Sequence, residues 1–189
     1  MDMTESAIDW SQRKPVNVID PSLQARVGKL VTDAMLQVTR TVFHTRDAAA
    51  KACARVMQPI TTRYGVESGA LLFSLTGNGN GLTAVGTSVA GRENCRLSYQ
   101  CGVVVQDGGR VIGGLLSGYI HSHPVELGFS DNDLYVAAAM TKQTSALPYV
   151  TAYVSLPSGR VLAWSTRAMQ DNPQQTWSEY AKRTVRKVL

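Results

Sequence analysis

Tyr119-Ile120-His121-Ser122-His123-Pro124, followed after a short interval by Phe129-Ser130-Asp131-Asn132-Asp133, is the stretch on which the reading of this chain turns. Two of the chain's three histidines stand two residues apart at the end of an apolar run. Side chains alternate faces along a β-strand, so His121 and His123 project to one side and Ser122 to the other. Pro124 has no N–H and closes the ladder. Ser130-x-x-Asp133 then reads as the opening of a helix, with Ser130 as N-cap and Asp133 in the first turn, its carboxylate near the strand end.

Two imidazoles from a strand and one carboxylate from an adjacent helix make a three-ligand set of the kind zinc accepts, and a catalytic zinc keeps its fourth position for water. The metal acidifies that water and polarises a carbonyl. Hydrolysis then needs a base for the water proton and a donor for the developing oxyanion. Ser130 is the candidate donor. For the base, Val66-Glu67-Ser68-Gly69-Ala70-Leu71-Leu72-Phe73 reads as an apolar strand with one carboxylate near its start. A charge there is costly unless it is solvated, paired or near a metal. Glu67 is therefore either a strand-end carboxylate in water or the missing base. His-x-His alone is weak, and Ser-x-x-Asp alone is more often a simple cap; their conjunction is sharper.

That conjunction resembles the JAMM (MPN-plus) zinc metallopeptidase family, whose motif is an upstream glutamate, then His-Ser/Thr-His-Pro, then Ser-x-x-Asp. The similarity runs from about Val42 to Ser165. It is nearest to a bacterial branch found in polymorphic toxins and in the cargo of contact-dependent secretion systems, with Phe43, Thr45, Asp47-Ala48-Ala49, Glu67, His121-Ser122-His123 and Phe129-Ser130-Asp133 as counterparts. The resemblance implies a cytidine-deaminase-like architecture, Zn2+ held by His121, His123 and Asp133, Glu67 as the proton shuttle and Ser130 as oxyanion donor. It implies amide cleavage in a protein or peptide, whether isopeptide-linked or a cell-wall peptide. It also implies delivery of a secreted effector or toxin domain, although no delivery or immunity partner is visible in the sequence. One departure stands out: nine residues separate His123 from Asp133, one fewer than in the familiar eukaryotic members. Asp131 is an alternative ligand, or a charge complementing the helix dipole. The competing reading is a non-catalytic interaction or assembly module on the same fold, since fold alone does not establish activity.

A chain of 189 residues, 44% hydrophobic and 17% charged, is long enough for one domain with a substantial core. No apolar run approaches a membrane span. The polar residues 1–20 lack a signal-peptide pattern, which points to cytoplasmic synthesis, while export by a contact-dependent machine remains compatible. The formal charge of +5 is concentrated partly in Lys182-Arg183-Thr184-Val185-Arg186-Lys187. That run reads first as a solvated helix face. Without an aromatic-plus-basic strand pattern, nucleic-acid binding is the weakest reading. Cys53 falls on an apolar helix face; the spacing of Cys95 and Cys101 does not decide whether they pair.

The predicted organisation is a lead-in over 1–20 with Trp10 as anchor, then a single domain over 21–189. A helix opens at Asp20-Pro21-Ser22 and carries Leu23, Val27, Leu30, Val31, Ala34, Met35 and Val38 on one face. Thr45 caps a second helix, with Asp47 in its first turn; Ala48, Ala49, Ala52, Cys53, Val56 and Met57 form its packed side, and Pro59 ends it nearby. His44 lies between the helices and reads as structural or exposed. Strands follow over Val66–Phe73, Leu82–Val89, Arg96–Gln106 and Val111–His123, with a turn at Thr76–Gly81 and a hairpin at Asp107-Gly108-Gly109. A helix continues from Asp133. Tyr149–Leu156 and Arg160–Ser165 are strands joined by Pro157-Ser158-Gly159. An amphipathic helix over Pro173–Leu189 carries Trp177, Tyr180, Val185 and Val188. The class is α+β, a mixed α/β sandwich with a central mixed β-sheet flanked by helices.

Overall fold

Val27, Val31, Met35 and Val38 recur at helical spacing and are the buried residues of the first helix, α1 (Pro21–Thr39). The stripe is narrower than the sequence suggests, because Leu30 and Ala34 face outward. A two-residue strand β1 (Val42–Phe43) leads into α2 (Arg46–Tyr64). Thr45 caps α2 by accepting the Ala48 N–H, and Gly65 ends it in the left-handed region at φ 65, a conformation glycine adopts without a Cβ penalty. Pro59 does not end this helix; α2 runs one further turn beyond it. Pro59 and Arg55, whose carbonyl loses its partner to the missing N–H, are both exposed, so water can satisfy the freed group. The buried side of α2 is also turned relative to expectation. It comprises Ala49, Ala50, Cys53, Ala54, Met57 and two polar residues, Gln58 and Thr61. Burial pushes the Cys53 thiol up to about 12, so it is a packing residue rather than a nucleophile.

The strands are β2 (Glu67–Leu75), β3 (Thr83–Gly91), β4 (Val103–Asp107) and β5 (Arg110–Ser122), then, after α3 (Asp131–Gln143), β6 (Thr151–Ser155), β7 (Val161–Ser165) and the two-residue β8 (Arg186–Lys187). The computed structural model describes residues 21–75, 83–91, 103–107, 110–143, 149–167 and 185–188. Trp10, the turn at 76–81, Cys95, Cys101, Gly108, Gly109, Trp177 and Tyr180 lie outside them. One mixed sheet runs β1-β3-β2-β5-β6-β7-β8, with β4 also paired to β5. All pairings are antiparallel except β5 with β6, which α3 joins as a crossover. Gly118 permits that parallel contact, since a Cβ there would lie 2.5 Å from the Thr151 carbonyl oxygen. No helix among the described residues is long and apolar enough to cross a membrane.

The sheet is buried on both faces. Ala70, Leu72, Ile120, Tyr153, Val161 and Ala163 pack under α1 and α2. Leu71, Phe73, Leu116, Tyr119, Ala152 and Trp164 pack under Leu134, Ala137 and Met140 of α3. The alternation along β2 and β5 thus fills two cores, as expected for a mixed α+β sandwich.

The predicted C-terminal helix is overturned at its described end. Arg186 pairs with Ala163 and Lys187 with Leu162 in β8, and the Val188 N–H donates to Val161 O at 2.7 Å. Val185 joins the core under α3 and Val188 the core under α1 and α2. A helical face would put both valines on one side; the strand edge divides them between the two layers.

Candidate metal centre

β5 ends at the centre of the sheet with its two neighbours still attached. Ser122 is paired with Ser68 of β2 and Ser155 of β6, and the His123 N–H donates to Ser155 O at 2.9 Å before Pro124 ends the ladder. His121 and His123 are both buried and project to the α3 side, as strand alternation requires. The connection to α3 returns Asp133 over them. His121 Nε2 lies 2.9 Å from His123 Nε2 and 3.3 Å from Asp133 Oδ1, and His123 Nε2 lies 3.7 Å from Asp133 Oδ2. The three ligand atoms fall within 4.8 Å of one another, so these residues could hold a metal ion.

The candidate ligands are held from behind. His123 Nδ1–H donates to Leu127 O at 2.7 Å. This fixes the tautomer in which Nε2 has the lone pair, the arrangement metal-binding histidines use. Asp133 and Ser130 form a reciprocal cap: the Asp133 N–H donates to Ser130 Oγ at 3.2 Å, and the Ser130 N–H donates to Asp133 Oδ2 at 2.7 Å. Burial opposes the Asp133 charge, but the His121 ring and the Ser130 bonds outweigh it and hold the carboxyl down at about 2. Burial likewise opposes a charge on His121, yet Asp133 and Glu67 raise its pKa on balance, while burial and the neighbouring His121 lower that of His123. The surrounding carboxylates thus favour the charged form of His121 over that of His123. His121 Nδ1 is buried without a well-formed hydrogen bond, although the Tyr153 backbone favours its charged form.

Glu67 begins β2, half-buried at the rim of the cluster, with Oε1 3.9 Å from His123 Nε2. It stands beside the three-ligand group rather than in it. Asp131 is exposed at the start of α3 and His44 is exposed ahead of α2; neither joins the cluster. Glu126, another carboxylate near the motif, accepts from the Ser158 N–H and hydroxyl and from Arg160. These bonds hold its carboxyl down at about 2 and latch the loop after His123 onto the β6–β7 turn.

The Phe43, Thr45 and Asp47 pattern sits away from the metal cluster. Besides occupying the first turn of α2, Asp47 accepts two bonds of 2.7 Å from Arg186 and one of 2.7 Å from the Tyr153 hydroxyl. Its role is to clamp α2 to β6 and to the C-terminal strand.

Two supports of the site were missed in the sequence. Gln58 donates to His123 O at 2.9 Å and accepts from Ser155 Oγ at 2.6 Å. Ser122, facing the α2 side, donates to Ser68 O and accepts from the Ser68 N–H, each at 3.1 Å, and lies 2.6 Å from Thr61 Oγ1. This buried knot ties the residue after Glu67 to the residue between the histidines. The only sequence signal was a pair of polar residues, Gln58 and Thr61, spaced three apart on α2. No family model, curated protein or solved structure matches the chain.

Proposed function

We propose that this chain is a zinc-dependent amide hydrolase, a metallopeptidase or isopeptidase of the JAMM kind. The observation that carries the reading is the convergence of His121, His123 and Asp133 with Glu67 just outside them. Two imidazole nitrogens and one carboxylate oxygen, with ring orientation fixed from behind by the Leu127 carbonyl, fit a zinc ion that keeps an open position. When bound, zinc would polarise the scissile carbonyl and acidify a water molecule. The other steps belong to the chain's own groups. Glu67 takes the proton of the attacking water and delivers it to the amine nitrogen as the C–N bond breaks, which leaves the carboxylate ready for another turnover. Ser130, its Oγ already accepting the Asp133 N–H, directs its hydroxyl hydrogen to the carbonyl oxygen that becomes negative. The substrate class is a polypeptide amide, including isopeptide and cell-wall peptide bonds. The resemblance over Val42 to Ser165 favours an exported effector that acts in another cell.

The test combines metal content with turnover. Protein purified without added metal should contain one zinc per chain by elemental analysis. It should cleave members of a panel of peptides, isopeptides and cell-wall fragments. Glu67→Gln should keep its zinc and its fold but lose roughly 10²–10⁴-fold in rate. Ser130→Ala should lose about 10²–10³-fold. An unchanged rate in Glu67→Gln removes Glu67 as the base. Bound zinc with no turnover on any substrate in the panel moves the reading to a zinc-stabilised assembly module.

A further inference from the structure

Asp133 reaches the histidines from a different element, along a connection whose Val125 and Leu127 side chains are exposed. Glu126 and the Leu127 carbonyl tie that loop to the β6–β7 turn and to His123, and a direct bond between α3 and β5 adds a second constraint on where Asp133 stands. Tyr119 supplies that bond. It precedes His121 by two residues and so shares its face of the strand. Its ring is buried and stacks on the His121 ring, with centroids 5.9 Å apart and planes 22° from parallel. Its hydroxyl donates to the backbone carbonyl of Asp133 at 2.6 Å. One side chain therefore touches the ring plane of one ligand and the main chain of another.

We propose that Tyr119 is a positioning residue of the metal centre, fixing Asp133 against His121 through its hydroxyl. A buried tyrosine needs some partner for its O–H, so a purely structural bond is the simpler alternative. Two observations favour the positioning role. The accepting carbonyl lies in the first turn of a helix, where the following turn supplies an N–H to it and the tyrosine takes only its second lone pair. The hydroxyl is thus not required to satisfy the carbonyl. In addition, the bond meets α3 at the ligand residue itself. Through it, a shift of α3 along β5 is resisted where it would separate Asp133 Oδ1 from His121 Nε2, now 3.3 Å apart.

The inference rests on the metal-binding reading of the cluster, and the experiment separates the two. Metal-free wild type, Tyr119→Phe and Asp133→Ala are titrated with zinc against a competing chelator and, separately, with cobalt, whose visible absorption reports coordination geometry. Tyr119→Phe keeps the ring and its stacking. It should weaken zinc binding about 10–100-fold, the usual effect of removing a group that orients a ligand. It should also alter the cobalt spectrum, while metal-free melting stays close to wild type. Wild-type affinity and an unchanged cobalt spectrum in Tyr119→Phe overturn the positioning role and leave the metal site standing. Loss of folding in metal-free Tyr119→Phe also overturns it, because the hydroxyl then supports the fold at large. Failure of wild type to bind either metal removes the site and the inference together.

Discussion

Replacing Ser122 with alanine tests whether the far side of the His-x-His strand is as demanding as the ligand side. The hydroxyl is fully buried. Its hydrogen goes to Ser68 O, which leaves its oxygen to accept from the Ser68 N–H and from Thr61. Alanine removes all of these and leaves two backbone groups of Ser68 without that partner. Thr61 falls back on its longer contact with Ser68 Oγ at 3.3 Å. Each ordinary buried bond contributes about 1 kcal/mol and each orphaned group costs about 1–3, so Ser122→Ala should destabilise the metal-free protein by about 2–4 kcal/mol. For a chain of this size that is a melting-temperature drop of about 5–15 °C. Urea or thermal unfolding followed by circular dichroism measures it. Thr61→Val should cost less. The double variant should cost less than the sum of the two, because Thr61 no longer has a hydroxyl to leave unpaired. A Ser122→Ala change below about 0.5 kcal/mol, or strict additivity in the double variant, would show that the knot is not an energetic tie.

Chelation of the zinc-loaded protein should lower the melting temperature yet leave one cooperative transition, since both cores form without the centre and the metal acts by ordinary ligand linkage. Collapse of secondary structure on chelation would instead mark a closed structural site. Asp47 gives the pH dependence. The hydrogen bonds from Arg186 are the largest influence on its carboxyl, and with Tyr153 they depress its pKa against the effect of burial. A depressed carboxylate stabilises above its unfolded value near 4, and that contribution is lost as the pH falls through the lower folded value. Asp47→Asn should therefore melt below wild type at pH 7, with the gap closing as the pH falls below about 4. A gap that stays constant over that range would assign the clamp to packing rather than charge.

The convergence of the candidate metal ligands was legible because its information is local. Strand alternation places His121 and His123 together from sequence alone, and the cap at Ser130 fixes where Asp133 falls in its helix. Glu67 was legible as a charge in an apolar strand. What failed depends on partners distant in sequence. Pro59 reads as a helix end until Arg55 and Pro59 are seen to face water. Arg186 and Lys187 read as a helical basic run until β7 offers an open edge and Asp47 a counter-charge. Gln58 and Thr61 lie outside the packed side expected for α2, although the strand ends beneath them supply buried partners. Three of the five buried apolar residues of α2 are alanines, which set the helix's rotation only loosely.

Ser130-x-x-Asp133 is a simple cap and also the turn that carries the candidate ligand, and the geometry shows how one motif can serve both ends. An ordinary capping box uses its third helical residue only to reach back to the N-cap. Here Asp133 does so with Oδ2, through the Ser130 N–H, while Oδ1 faces His121 at 3.3 Å. The cap thus orders the carboxylate before any metal arrives, and part of the entropy that a ligand side chain loses on binding is already lost on folding. A glutamate in this place would carry one more rotatable bond between the helix and its carboxylate, and would give up part of that ordering. The capping role therefore supplies a physical basis for the proposed metal-binding one, because the carboxylate that caps the helix is also held against the histidines.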